Sequence, residues 1–161
     1  MSWWSRLTGG GSKSGAKPQR VDYLGEALAL ERQGDYDAAL TSYRLALRDQ
    51  PNNYRALQNM AIAFSKTGRQ DEAIRAYKRA LEIQPTLSGS HYGLAFLLIK
   101  RGSIADAAYH LEAFLMNPPT GADAERWIEH ARATLNQLNA TDRPADGGGG
   151  PDGVPPAEAG D

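Results

Sequence analysis

The 161-residue sequence predicts an all-α fold of three stacked helical hairpins, followed by one further helix and flanked by two tails. Three observations lead to this prediction. Similar stretches recur every 34 residues, their apolar residues follow helical spacing, and each stretch is divided by a glycine and closed by a proline. Repeats of this length are typical of solenoids, in which each unit buries its apolar face against the next unit.

Five positions of the 34-residue unit hold the same residue in all three copies, when residues 20–53, 54–87 and 88–121 are aligned. Because these positions are shared within one chain, they identify what the repeated unit needs in order to fold and stack. They are Ala27, Ala61 and Ala95; Gly34, Gly68 and Gly102; Ala39, Ala73 and Ala107; Leu47, Leu81 and Leu115; and Pro51, Pro85 and Pro119.

Each shared position has a physical role in a helix–turn–helix unit. Apolar residues before and after the glycine recur at intervals of three and four, which indicates one buried face on each of two helices. The glycine tolerates the positive φ that ends a helix, and the proline prevents the second helix from continuing. The alanines allow two helix backbones to approach closely. Each copy is therefore predicted to form one helical hairpin.

On these residues the chain resembles the tetratricopeptide repeat family over residues 20–121. The family pattern places alanine at positions 8 and 20, glycine at position 15 and proline at position 32, and the chain carries it three times. The resemblance implies a right-handed α-solenoid with hairpins at 21–53, 54–87 and 88–121. The third copy departs from the pattern with His91, with Phe114 in place of a small residue, and with a doubled proline.

One more helix is predicted over residues 122–139. Its apolar residues lie 3.6 residues apart on average, and Trp127 widens the stripe. The segment resembles the capping helix that covers the last repeat in this family, and Phe114 is expected to pack under it. The stripe comprises Ala124, Ile128, Ala131, Leu135 and Leu138.

The two ends of the chain differ from the middle in composition. Residues 1–20 carry four basic and no acidic residues, whereas residues 140–161 carry five acidic residues and one arginine, a net charge of −4. Both ends are rich in glycine, with serine or proline, and hold too little apolar surface to offset the entropy of ordering. Both are therefore predicted to be disordered tails.

Several functional classes are excluded or disfavoured by what the sequence lacks. There is no cysteine, and 18 basic residues balance 19 acidic ones, which argues against nucleic-acid binding. His91, His110 and His130 are not spaced as metal ligands, and catalytic and phosphate-loop motifs do not appear in a fitting context. We therefore expect a non-enzyme without metal or cofactor. With no apolar run that would form a membrane span or secretory signal, it is expected in the cytoplasm.

The resemblance also implies a binding surface, because the first helix of each hairpin lines the concave side of the stack. We expect a protein-interaction module or scaffold that binds an apolar or amphipathic peptide or helix with some acidic character. The apolar groove residues have a competing explanation, which is that they pack against one another. The predicted partner-binding residues are Leu24, Leu28, Arg32, Arg55, Asn59, Ile62, Lys66, Tyr92, Phe96 and Lys100.

Arg32, Lys66 and Lys100 occupy the same position in the three copies. They would attract a partner's carboxylates, but basic residues in the last turn of a helix also offset the helix dipole, which predicts the same pattern. Some family members bind the C-terminal carboxylate of chaperones with a lysine and two asparagines. At the matching positions only one asparagine is present, which argues against such a clamp; these positions hold Leu24, Leu28, Asn59, Gly89 and Gly93.

The N-terminal segment is the remaining candidate for a function. Trp3, Trp4 and Leu7 share one side if the segment is helical, with Arg6 beside them. Tryptophan with arginine suits a membrane surface, which gives an alternative function as a peripheral membrane adaptor or assembly factor. The segment would otherwise dock into the groove or a partner, or have no role.

Overall fold

A computed structural model describes residues 21–141 of the protein. These residues form seven α-helices and no strand, and the predicted all-α fold of three hairpins and a further helix is confirmed for this range. The helices are α1 (Tyr23–Arg32), α2 (Tyr36–Asp49), α3 (Tyr54–Lys66), α4 (Gln70–Ile83), α5 (Ser88–Arg101), α6 (Ile104–Met116) and α7 (Ala124–Thr141).

The helices pack in chain order, each against the next, so that the three hairpins stack in one direction. The six alanines shared by the copies lie at these contacts and are fully buried. A larger side chain at any of them would push two helix backbones apart, which explains why the repeat keeps alanine there. These residues are Ala27, Ala39, Ala61, Ala73, Ala95 and Ala107.

The three hairpin turns have the same backbone geometry. Gly34, Gly68 and Gly102 have φ of +81°, +76° and +80°, a region that residues other than glycine rarely adopt. The residue after each glycine donates its N–H to a carbonyl five residues earlier, as in the Schellman ending of a helix. The shared glycine is therefore a requirement of the turn, as the repeat pattern predicts.

The last helix, α7, covers the third hairpin. It packs mainly against α6, and its Ala131 is fully buried in a cluster with Leu111 and Phe114. The prediction that Phe114 lies under this helix is confirmed. The helix runs from Ala124 to Thr141, beginning and ending two residues later than the predicted range of 122–139.

Candidate partner-binding groove

A pocket of about 600 Å³ opens between α3, α5 and the start of α7, and we call it the main pocket. Its walls hold five aromatic side chains. Its lining includes two lysines and no acidic residue. The aromatic residues are Tyr77, Tyr92, Phe96, Phe114 and Trp127. The lining also includes Ile62, Ser65 and Lys66 from α3, and Lys100 from the last turn of α5.

A glycine of α5 gives the pocket part of its shape. A Cβ atom on Gly93 would overlap the ring of Tyr77, which reaches the pocket from α4. Burial and the nearby carboxylate of Glu31 raise the pKa of Tyr77 to about 12. The Tyr77 hydroxyl is therefore neutral at physiological pH and contributes no charge to the pocket wall.

Tyr92 lies at the centre of the aromatic residues. Its ring centroid is 4.7 Å from that of Phe96, 5.2 Å from that of Phe114 and 5.3 Å from that of Trp127. These separations are in the range in which aromatic pairs attract beyond their simple burial. The pKa of the Tyr92 hydroxyl is raised by burial, so this group is also neutral at physiological pH.

The side chain of His130 on α7 packs against these aromatic residues of α5. Its Nδ1 lies 2.6 Å from the Tyr92 hydroxyl oxygen, and its ring stacks on that of Phe96 with centroids 5.0 Å apart. These contacts hold the first turns of α7 beside α5, where Trp127 forms one side of the pocket and is 41% exposed. The pocket is therefore completed by a helix outside the three repeats.

Two cations line the main pocket and a third lies against its Trp127 side chain. Lys66 and Lys100 line it at the C-terminal ends of α3 and α5, and the guanidinium carbon of Arg126 lies 4.9 Å from the centroid of the Trp127 ring. None of the three forms a salt bridge with another residue in the range 21–141. Their positive charge is thus available to an acidic ligand.

A second, more polar pocket lies where α1 faces α3, and we call it the polar pocket. It is lined by Leu28, Glu31, Arg32, Tyr36 and Asn59, so it combines a carboxylate with a guanidinium. The Glu31 carboxylate accepts a hydrogen bond from a buried tyrosine hydroxyl of α2.

The structure distributes the predicted groove residues among several sites. Five of them share the main pocket: Ile62, Lys66, Tyr92, Phe96 and Lys100. Leu28, Arg32 and Asn59 line the polar pocket. Leu24 and Arg55 lie apart from both, in two depressions at the junction of the first and second hairpins. Trp3, Trp4 and Leu7, the predicted anchor, lie outside the described residues.

The lining residues of the main pocket that sequence reasoning missed include Tyr77, Phe114, Pro119 and Trp127. Phe114 and Trp127 were expected only to pack between the third hairpin and the last helix. A usable signal was present. Trp127 is a large aromatic residue in the mostly polar start of α7, and Phe114 replaces a small residue of the repeat in the third copy.

A histidine pair joins α5 to α6, with His91 buried and His110 partly buried. The Nδ1 atoms of His91 and His110 are 2.9 Å apart, and the Nε2 of His91 lies 2.8 Å from the Pro85 carbonyl oxygen. His91 therefore donates to Pro85 through Nε2 and accepts from His110 at Nδ1. Burial and the neighbouring His91 lower the pKa of His110 to about 4. Within residues 21–141 no three metal-ligating side chains converge.

Residues 24–88 match the sequence profile of a family described as "Tetratricopeptide repeat". This segment carries tetratricopeptide repeats. The matched segment spans most of α1, all of α2, α3 and α4, and the first residue of α5. The third hairpin continues the same 34-residue pattern beyond the match. No curated protein sequence matches the chain significantly.

Several solved structures share the fold. The Yersinia enterocolitica type III secretion chaperone SycD, in complex with a peptide of the translocator YopD, superposes with a TM-score of 0.69 at 14% identity, covering 74% of this chain and 91% of that one. The TPR domain of Sgt2 from Aspergillus fumigatus gives 0.61 at 24% identity, covering 86% of each chain. PcrH, in complex with the chaperone binding region of PopD, gives 0.67 at 13% identity, covering 74% and 90%.

None of the seven helices in residues 21–141 is both long and apolar enough to cross a lipid bilayer.

Proposed function

We propose that the protein is a non-catalytic interaction module, or scaffold, that binds a segment of a partner protein in its main pocket. An apolar or aromatic side chain of the partner enters between Tyr92, Phe96 and Trp127, and acidic residues beside it meet Lys66 and Lys100. One observation carries the proposal: an aromatic pocket surrounded by cations that have no acidic partner among the described residues.

The exposure of the pocket residues supports binding over self-packing. Leu94 is fully buried and Leu97 is 5% exposed, whereas Tyr92 and Phe96 on the same helix are only half-buried. Side chains that served only to fill the core would be covered like the two leucines. Half-buried aromatic residues on a concave surface instead offer area that a ligand covers.

The expected strength of binding follows from these contacts. Complete burial of one large apolar side chain contributes roughly 1.5–3 kcal/mol, and contact with aromatic rings adds about 0.5–1.5 kcal/mol. The lysines, which remain partly solvated, mainly increase the association rate and select acidic partners. A single pocket of this size supports weak, reversible binding unless the partner also covers the polar pocket. The SycD and PcrH structures, each with a segment of another protein, support a peptide as the ligand.

A phage-displayed library of random peptides, selected on the full chain, tests the proposal. We expect the enriched peptides to combine a bulky apolar residue with Asp or Glu. Their affinity, measured by fluorescence anisotropy, should fall about tenfold, which is about 1.4 kcal/mol, in a Lys66→Glu/Lys100→Glu double variant. A Trp127→Ala variant should weaken them similarly.

The matched control is Arg75→Glu/Arg79→Glu, which makes the same change in net charge at two exposed residues of α4, outside the main-pocket lining. This variant should keep the affinity of the selected peptides. If both double variants weaken binding equally, net charge rather than the pocket explains the effect, and the proposed site is wrong. Failure to enrich any peptide on the wild-type chain would also count against it.

A further inference from the structure

We propose that the acidic segment after α7, residues 142–161, binds in the main pocket of its own chain and competes there with partners. Residues 154–156, which read Val-Pro-Pro, would lie against the aromatic walls, with Asp152 and Glu158 near the surrounding cations. This inference rests on the proposed function in one respect, which is that the same pocket receives the partner. The segment lies outside the described residues.

Charge complementarity is the first reason. The segment carries five acidic residues and Arg143, so its net charge is −4, while the pocket lining holds lysines and no acid. Several cations elsewhere on the described surface already have acidic partners, including Arg48 with Asp49, Arg69 with Glu72 and Arg101 with Asp71. The main pocket therefore offers an acidic segment unpaired positive charge beside apolar surface.

The order of residues in the segment is the second reason. Proline-rich segments bind aromatic-lined grooves, because the polyproline conformation is preformed and loses little entropy on binding. Here two prolines and a valine are flanked by Asp152 on one side and Glu158 on the other. The main pocket has the matching arrangement, with aromatic side chains at the centre and Lys66, Lys100 and Arg126 around them.

The distance that the chain must cover is compatible with this binding. A helix rises about 1.5 Å per residue, so Thr141 lies roughly 21 Å along α7 from Trp127. Residues 142–153 span at most about 40 Å when fully extended. The connection is thus long enough to return along α7 and bring residues 154–156 to the pocket.

Tethering makes even a weak contact relevant. A connection of this length gives an effective concentration on the order of a millimolar, so a segment with a similar dissociation constant fills the pocket about half of the time. A partner must displace it, which lowers the partner's apparent affinity by about twofold. Every ligand that competes for the same pocket is weakened by the same factor.

Paramagnetic relaxation measured by NMR tests the inference on the full chain. The chain has no cysteine, so Ala159→Cys supplies a single site for a nitroxide label. The backbone amide signals of Ile62, Gly93 and Lys100 are expected to lose most of their intensity, because a contact populated half of the time still relaxes nearby amides strongly, and to recover when the label is reduced. Lys66→Glu/Lys100→Glu should abolish this loss, and Arg75→Glu/Arg79→Glu should leave it unchanged.

The outcomes separate this inference from the proposed function. The inference is wrong if the amide signals of the pocket lose no intensity, or if they lose it equally in both double variants. If the library-selected peptides still bind in that case, the proposed function stands without the inference about the acidic segment. In a second measurement, Pro155→Gly/Pro156→Gly keeps the charge of the segment and should raise the affinity of a selected peptide about twofold, because the competitor has lost its apolar contact. An unchanged affinity contradicts competition.

Discussion

The polar pocket and the main pocket occupy the same inner surface but differ in chemistry. The polar pocket holds a carboxylate and a guanidinium side by side, with Leu28 as its aliphatic residue. The main pocket holds five aromatic side chains, and the only charged residues in its lining are lysines. Both are built on the same 34-residue template, so the template cannot be what makes them different.

The difference comes from the positions at which the repeats differ from one another, and from the helix that follows the third repeat. At one position of the repeat the second copy has Asn59, which lines the polar pocket. The first and third copies have glycine there, and in the third copy Gly93 leaves room for the Tyr77 ring. The first two repeats have no equivalent of Trp127, which α7 adds from outside the repeats. The stacking residues thus set where a pocket forms, and the departures set what it binds.

The largest loss of stability is expected when the buried aromatic ring of Phe114 is removed from the main pocket. Phe114 is 2% exposed and packs between the third hairpin and α7. Phe114→Ala should lower the free energy of unfolding by about 3–5 kcal/mol, because it removes buried contacts and leaves a cavity. The matched change in the polar pocket, Leu28→Ala, should cost clearly less because Leu28 is only partly buried. Urea denaturation followed by circular dichroism measures both, and equal losses would remove the distinction between the pockets.

The second-largest loss of stability is expected from overpacking at Gly93. A Cβ at this position meets the Tyr77 ring, so Gly93→Ala should destabilise the fold by about 1–3 kcal/mol. Gly89, one turn earlier on the same helix, provides the control. Its nearest neighbour would be the end of the Gln58 side chain at 3.1 Å, which can move aside. Gly89→Ala should therefore remain within about 1 kcal/mol of the wild type, helped by the better helix propensity of alanine.

The histidine pair makes the third repeat sensitive to acid. The pKa of His110 is about 4 in the folded protein, against 6.5 for an exposed histidine, so the unfolded chain binds more protons between these values. The free energy of unfolding should therefore fall as the pH drops from 7 toward 4. We expect the wild type to lose about 1–2 kcal/mol more than His110→Gln between pH 7 and pH 5. Parallel pH profiles for the two proteins would show that this histidine is not responsible.

The smallest expected effect concerns the attachment of α7. Tyr92→Phe removes the hydroxyl that contacts His130 but keeps the ring, so the loss should be about 0.5–1 kcal/mol. Hydrogen exchange of α7 amides should quicken while that of α1 and α2 stays the same. Tyr109→Phe, at a tyrosine that is 64% exposed, is the control and should change neither. Uniform quickening along the chain would mean that the bond stabilises the whole fold and not this helix.

The fold was predictable because its determinants are local and repeated. The buried alanines, the positive-φ glycines and the helix spacing each lie within one 34-residue copy, where periodicity reveals them. The main pocket was predictable only on its repeat side, through residues such as Ile62 and Lys66. Trp127 could not be placed there, because its position depends on how α7 packs, and that packing is fixed by contacts such as Tyr92 with His130, 38 residues apart in the chain.

The histidine pair was missed for a related reason. His91 and His110 are 19 residues apart on two helices, and their contact depends on the crossing of α5 and α6. Sequence spacing reports which residues share a helix face, but not which faces meet. Among the predicted groove residues, Leu24 and Arg55 were assigned by position in the repeat, and the structure places them outside both pockets, in depressions at the junction of the first and second hairpins.

The identical glycine turns have a consequence for engineering. Because each hairpin ends in the same backbone geometry and stacks through the same alanines, a duplicate of residues 54–87 inserted after Leu87 would meet matching surfaces on both sides. Its own isoleucine, lysine and tyrosine would then stand next to α5, in the places of Ile62, Lys66 and Tyr77. The array would grow by one unit while the aromatic end kept its shape, so the length of the recognition surface and the chemistry of its deepest site are separable design variables.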